Sequence, residues 1–104
     1  MLLVIAGVFL SACYPMTRSK GVVKDEQGLP VAEATVRIGG QSAKPEMLIT
    51  QSDGSFDFGE IEIISHQEPI DIELLVEKAG FEPFSKKLRF NADNRDEIVL
   101  RRLK

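Results

Sequence analysis

The sequence predicts an all-β fold, an antiparallel β-sandwich of six or seven short strands. Three observations predict it. Apolar and polar residues alternate with a period of two in several short runs. Turn residues (Gly, Pro, Asp-Gly) separate those runs at short intervals. No window sustains the 3.6-residue period of an amphipathic helix.

Taken in order, Gly21-Val22-Val23-Lys24 reads as a first short strand, and Asp25-Glu26-Gln27-Gly28 supplies the turn after it. Pro30 opens the next segment, in which Ala34, Val36 and Ile38 share one face while Thr35 and Arg37 share the other. Gly39-Gly40 ends it. Met47 to Thr50 and Ser55 to Phe58 flank Asp53-Gly54, a dipeptide suited to a hairpin turn, with Phe56 and Phe58 directed inward. Ile70 to Glu77 is the clearest alternation in the chain and reads as a central strand sending Ile70, Ile72, Leu74 and Val76 to the core. Ala79-Gly80 turns the chain into Phe81 to Phe90, where Pro83 fits only an edge strand or a bulge. Ile98 to Arg101 completes the set. Leu75 and Val99 fall on the polar faces of their strands and are candidates for a docking patch.

The chain has 104 residues, 43% hydrophobic and 28% charged, which fits one folded domain and lacks the low-hydrophobicity, high-charge signature of disorder. A net charge of −3 supplies no concentrated basic field, so no nucleic acid is expected as a partner. One cysteine cannot make an internal disulfide, which leaves stability to packing and backbone pairing.

That cysteine follows the apolar run Met1 to Leu10, which is about half the roughly 20 residues a membrane-spanning helix needs. The run matches a secretory h-region in length, and Ser11 and Ala12 are the small residues of a cleavage site, although no Lys or Arg precedes it. Leu10-Ser11-Ala12-Cys13 resembles the lipobox of bacterial lipoproteins, in which an aliphatic residue and two small residues precede a lipid-modified cysteine. The resemblance implies a signal peptide over 1–12, lipidation of Cys13, a tether over 13–19 and a folded domain over 20–104. The membrane partner is then reached through the lipid anchor. Tyr14 stands where an inner-membrane retention aspartate would, so the outer membrane is the expected destination.

The stretch Gly21 to Ile38, with its Gly-x-Val, Asp and Gly turn, Pro30-Val31 and Ala34-x-Val36, resembles the opening of the carboxypeptidase regulatory-like domain family. Thr50 to Phe58 is similar to that family's threonine, aspartate-glycine and aromatic segment, and Glu77 to Phe81 to its turn into a Gly-aromatic pair. The resemblance covers most of 20–104 and implies a transthyretin-like, seven-stranded sandwich without catalytic residues. Gly59 to Pro69 departs from the family's pattern by its length.

Catalytic and metal chemistry find little support in the residues. His66, the single histidine, lies in a polar loop and reads as solvated rather than as a base, and one Cys plus one His is too few for a typical zinc site. Asp53, Asp57 and Glu60 lack the ligand spacing of a calcium loop. The hydroxyisourate hydrolases that share a transthyretin-like fold use several histidines and a C-terminal Tyr-Arg-Gly-Ser, whereas this chain ends Leu100-Arg101-Arg102-Leu103-Lys104. A collagen-adhesin type isopeptide bond would employ Lys24 and Glu73, but the last strand offers no asparagine, since Asn91 and Asn94 precede it. The basic residues Lys86, Lys87, Arg89, Arg101, Arg102 and Lys104 read as a solvated strand end rather than a headgroup site.

The expectation is therefore a non-enzymatic module with no cofactor and no metal, binding a protein partner or an envelope polysaccharide. A structural accessory subunit that pairs through a sheet edge near Pro83 is the alternative. A carbohydrate-binding module is a further one, weakened by the absence of Trp and the single Tyr.

Overall fold

A computed structural model describes residues 16–104. Seven strands run in chain order: β1 Arg18–Asp25, β2 Thr35–Gly39, β3 Glu46–Ile49, β4 Ser55–Glu60, β5 Glu73–Glu77, β6 Phe84–Lys87 and β7 Asp93–Leu100. They form a three-stranded sheet ordered β4-β1-β7 and a four-stranded sheet ordered β3-β2-β5-β6, with no helix among the described residues. The all-β sandwich expected from the alternation is what these residues build.

The core lies between the sheets because each contributes its inward alternate residues. Val23, Phe56, Ile98 and Leu100 come from the three-stranded sheet, and Val36, Ile38, Leu74 and Val76 from the other, all buried in one cluster. Ala34, outside β2, and Ile72, ahead of β5, are buried in the same core, and Phe58 and Ile70 pack against it partly buried. β5 sits between β2 and β6, so its alternation marks a strand paired on both edges. β6 is an edge strand, and Pro83 stands just before it, where a missing N–H costs no ladder bond.

Several expectations are corrected. The sheets are not wholly antiparallel: β1 and β7 run parallel in unbroken register from Arg18 opposite Asp93 to Asp25 opposite Leu100. Both strands start at the same end of the molecule, so side-by-side pairing has no other direction available. β3 and β4 do not form a hairpin, since β3 pairs with β2 and β4 pairs with β1. The Asp53-Gly54 turn carries the chain from one sheet to the other. β7 begins at Asp93 rather than Ile98, and β1 at Arg18 rather than Gly21, so the ordered strand takes in the last two residues assigned to the tether. Alternating charged residues in those added pieces satisfy backbone pairing without making an apolar run.

The connections gather at two ends. Segments 40–45, 59–72 and 88–92 meet the start of β1 at one end, joined by Lys44 N–H to Glu62 C=O (2.9 Å), Ser42 N–H to Asp71 C=O (3.0 Å) and Ile61 N–H to Thr17 C=O (2.7 Å). Segments 26–34, 50–54, 78–83 and 101–104 close the other. There Thr50 is buried, and its Oγ1 accepts from Ala34 N–H (2.9 Å) and donates to Val31 C=O (2.7 Å), pinning the arm between β1 and β2.

Candidate functional site

Cys13, the one residue singled out for modification, lies outside the described residues, as does the segment 1–12. The description opens at Met16, and the chain is fixed almost at once. Thr17 is buried; its carbonyl accepts from Ile61 N–H, and its Oγ1 accepts from Asn91 N–H at 2.8 Å. Beside it, Asn94 is 6% exposed and uses its whole amide: Nδ2 donates to the carbonyls of Arg18 (3.0 Å), Arg89 (3.0 Å) and Ala92 (3.3 Å), while Oδ1 accepts from Arg89 N–H (3.0 Å). Arg18 N–H reaches Ala92 C=O at 2.9 Å. Three segments are thereby knotted around the point where the chain leaves the sandwich. Sequence reasoning missed both residues, because short polar side chains that satisfy buried backbone groups look like any solvent-facing Thr or Asn.

This end also carries apolar surface. Met16 is 46% exposed and Ile64 57%, while Ile63 and Phe90 are partly buried against the core. A cavity of about 580 Å³ on the outer face of the three-stranded sheet is a separate feature, whereas the cavity at this end measures ≈ 550 Å³ and is lined by Met16, Thr17, Ile63, His66 and Phe90 among others. The exposed His66 ring sits edge-on to Phe90, with centroids 5.8 Å apart and planes at 74°.

The chemistry-bearing residues are dispersed. Ser55 Oγ donates to Asp53 Oδ1 at 2.6 Å, but both belong to the turn at the opposite end from His66, so no serine, histidine and carboxylate meet. Asp57 Oδ1 is taken by Gly59 N–H at 2.8 Å. Among the described residues no group of three or more His, Cys, Asp or Glu is placed to hold a metal ion. Lys24 pairs with Glu97, and Glu73 faces Lys87 at 3.9 Å, so the pair considered for an isopeptide bond is split between the two sheets. Four of the six basic residues are also matched by acids: Lys86 with Asp96 (2.6 Å), Lys87 with Asp71 (2.7 Å), Arg101 with Glu26 (3.7 Å) and Arg102 with Asp25 (3.5 Å). Arg102 also lies 4.7 Å over the Phe81 ring.

The sheet edges differ in how they are guarded. Lys86 stands opposite Leu74 and so faces inward from β6, and Asp96 shares the inward face of β7 with Ile98. Their ion pair places charge between the sheets along the open side of the sandwich, a device that discourages strand addition. A register shift between Ser19 and Lys20 interrupts the β1–β4 ladder. β3 carries an inward charge only at its first residue, Glu46 opposite Ile38. Thr50 bonds toward β2, and alternation along β3 then turns the N–H and C=O groups of Met47 and Ile49 to the free side, with side chains 58% and 51% exposed. Val99 is exposed, but Leu75 is half-buried, so the two do not make the patch expected of them.

Four carboxyls are held below their ordinary values. For Asp71 the cause is the Lys87 ammonium, helped by Gln41 N–H; for Glu97 it is Lys24; for Asp53 it is the Ser55 hydroxyl and N–H. Asp25 is lowered by Leu29 N–H, then Gln27 N–H and Arg102. A carboxyl with a depressed folded-state pKa stabilises the fold above its unfolded value, and that contribution fades as pH falls through it. Lys87 is raised above 10.5, so its share is present below that pH and fades above it. The thermal midpoint is thus expected to decline as pH drops through 4.5 and 3.8, the ordinary Glu and Asp values. Asp71→Asn should shallow that decline. A midpoint unchanged between neutral pH and about pH 3 would contradict the assignment.

No protein-family model and no curated protein matches this chain.

Proposed function

We propose that this chain is a lipid-anchored, non-enzymatic β-sandwich module of a bacterial cell envelope, of the carboxypeptidase regulatory-like kind, that binds another protein or a surface polymer. The observation that carries the reading is the position of Leu10-Ser11-Ala12-Cys13, four residues ahead of Thr17. Acylation at Cys13 would hang a rigid domain directly on its lipid, because Thr17 is already fixed by two hydrogen bonds. Two or more acyl chains give stable anchoring where one is marginal, each buried CH₂ contributing about 0.8 kcal/mol.

The test is Cys13→Ser followed by mass spectrometry and envelope fractionation. The parent is expected to mature to an acylated Cys13 terminus and to sediment with membranes, and the variant to remain uncut or to become soluble. A parent with an intact Met1 terminus and an unmodified thiol overturns the reading. For the ligand, capture of a stoichiometric protein by the anchored molecule supports protein binding, and retention on polysaccharide alone supports the polymer.

The sheet-edge alternative is supported at β3 rather than beside Pro83. The free backbone groups of Met47 and Ile49 are open to an added strand, whereas β6 is guarded by Lys86.

A further inference from the structure

We infer that the end of the sandwich carrying Met16, Ile64 and Phe90 rests on the lipid surface, so that the domain sits on its anchor in one orientation rather than swinging on it. The inference builds on the lipid-anchor reading of Cys13.

Chain length places this end at the membrane. Three residues separate Cys13 from Thr17, and an extended chain covers at most about 14 Å over those four steps. Tyr14, Pro15 and Met16 are uncharged, so the first charge after Cys13 is Arg18. Thr17 is held in the end face by Ile61 and Asn91, and Asn94 locks Arg18 to the 88–92 segment. The chain is therefore fixed from Thr17 onward, and the face around it cannot retreat far from the acyl chains.

The surface so placed suits the headgroup boundary. Met16 and Ile64 expose about half their area, and Phe90 lines the same cavity as Met16 with its ring capped by His66. Charge does not oppose contact. Arg18, Lys44 and Arg89 stand against Glu60, Glu62, Glu68 and Asp71 in the segments at this end, three cations to four acids. Lys44 pairs with Glu62 (3.9 Å), and Lys87, the last residue of β6, pairs with Asp71 (2.7 Å). With no surplus of cations, contact is apolar and needs no anionic lipid.

The chain contains no tryptophan, so an introduced indole is a unique reporter. Ile64→Trp and Met16→Trp are made at exposed positions, and Leu29→Trp, at an equally exposed position at the opposite end, is the reference. Each full chain is purified from envelopes, checked for acylation at Cys13 and inserted in phosphatidylcholine vesicles with and without brominated acyl chains. The indoles at 64 and 16 are expected to shift to shorter emission wavelength and to lose most of their intensity to the bromines, while the indole at 29 stays unquenched in 0.5 M salt as in dilute buffer. Acylated protein whose indoles at 64 and 16 remain unquenched, or whose indole at 29 is quenched equally, overturns this orientation and leaves the anchor standing. Absence of acylation instead overturns the anchor itself.

Discussion

Leu74→Ala is expected to lower the free energy of unfolding by about 3–5 kcal/mol, measured by denaturant titration of the purified domain. Leu74 is fully buried on β5, the strand paired with β2 on one side and β6 on the other. Its backbone is fixed by both ladders, so the space left by the side chain cannot be closed by strand movement. Across the core it meets the inward residues of the three-stranded sheet, and that contact is what holds two separate sheets together. A domain of this size has a total stability of about 5–15 kcal/mol, so the loss is a large share of it. Leu75→Ala is the internal comparison. Leu75 is next in sequence but points outward and is half-buried, and about 1 kcal/mol or less is expected there. Equal losses at 74 and 75 would mean that the inward face has been misassigned.

The contrast between those neighbours is also why the strands were legible in the sequence. A half-buried strand must alternate, and Val36, Ile38, Leu74 and Val76 do so without interruption. Pairing partners were less legible. β7 hides its first five residues behind Asp93, Asn94, Arg95, Asp96 and Glu97, where the inward positions are Asn94 and Asp96 rather than aliphatic residues. Each is inward for a polar reason, Asn94 to satisfy backbone at the end of the sandwich and Asp96 to meet Lys86. Hydrophobic periodicity cannot register a core position filled by a hydrogen-bonding group.

The end at which β1 starts shows the same division. Leu10 to Cys13 is a local motif and can be read directly, but exposed Met16 and Ile64 and partly buried Phe90 come from positions far apart in the chain. Only the return of segments 59–72 and 88–92 to the start of β1 brings them together. Gly59 to Pro69, irregular by its length, is the segment that supplies Ile61 to the core and Ile64 to the surface.

Gly54→Ala is expected to cost about 2–5 kcal/mol, above what the same change costs at another glycine of like conformation. Gly54 has φ +79 and Gly28 φ +84, both in the left-handed region where a side chain costs about 1–2 kcal/mol. At Gly28 a Cβ would meet nothing within 4 Å, so Gly28→Ala measures that strain alone. At Gly54 the Cβ would run into the Val23 carbonyl oxygen, with Pro30 Cβ only 3.3 Å away. Backbone cannot yield as a flexible side chain can, and Val23 is committed twice: its N–H donates to Gly54 C=O at 2.8 Å, and its C=O accepts from Val31 N–H at 2.9 Å. Relieving the overlap displaces β1 at the centre of its sheet or pushes out the arm to Val31, adding about 1–3 kcal/mol. A hairpin turn at Asp53-Gly54 would project into solvent and tolerate the two substitutions alike, whereas a turn that crosses between sheets is pressed against β1. Matched denaturant midpoints for Gly54→Ala and Gly28→Ala would therefore reject the crossing.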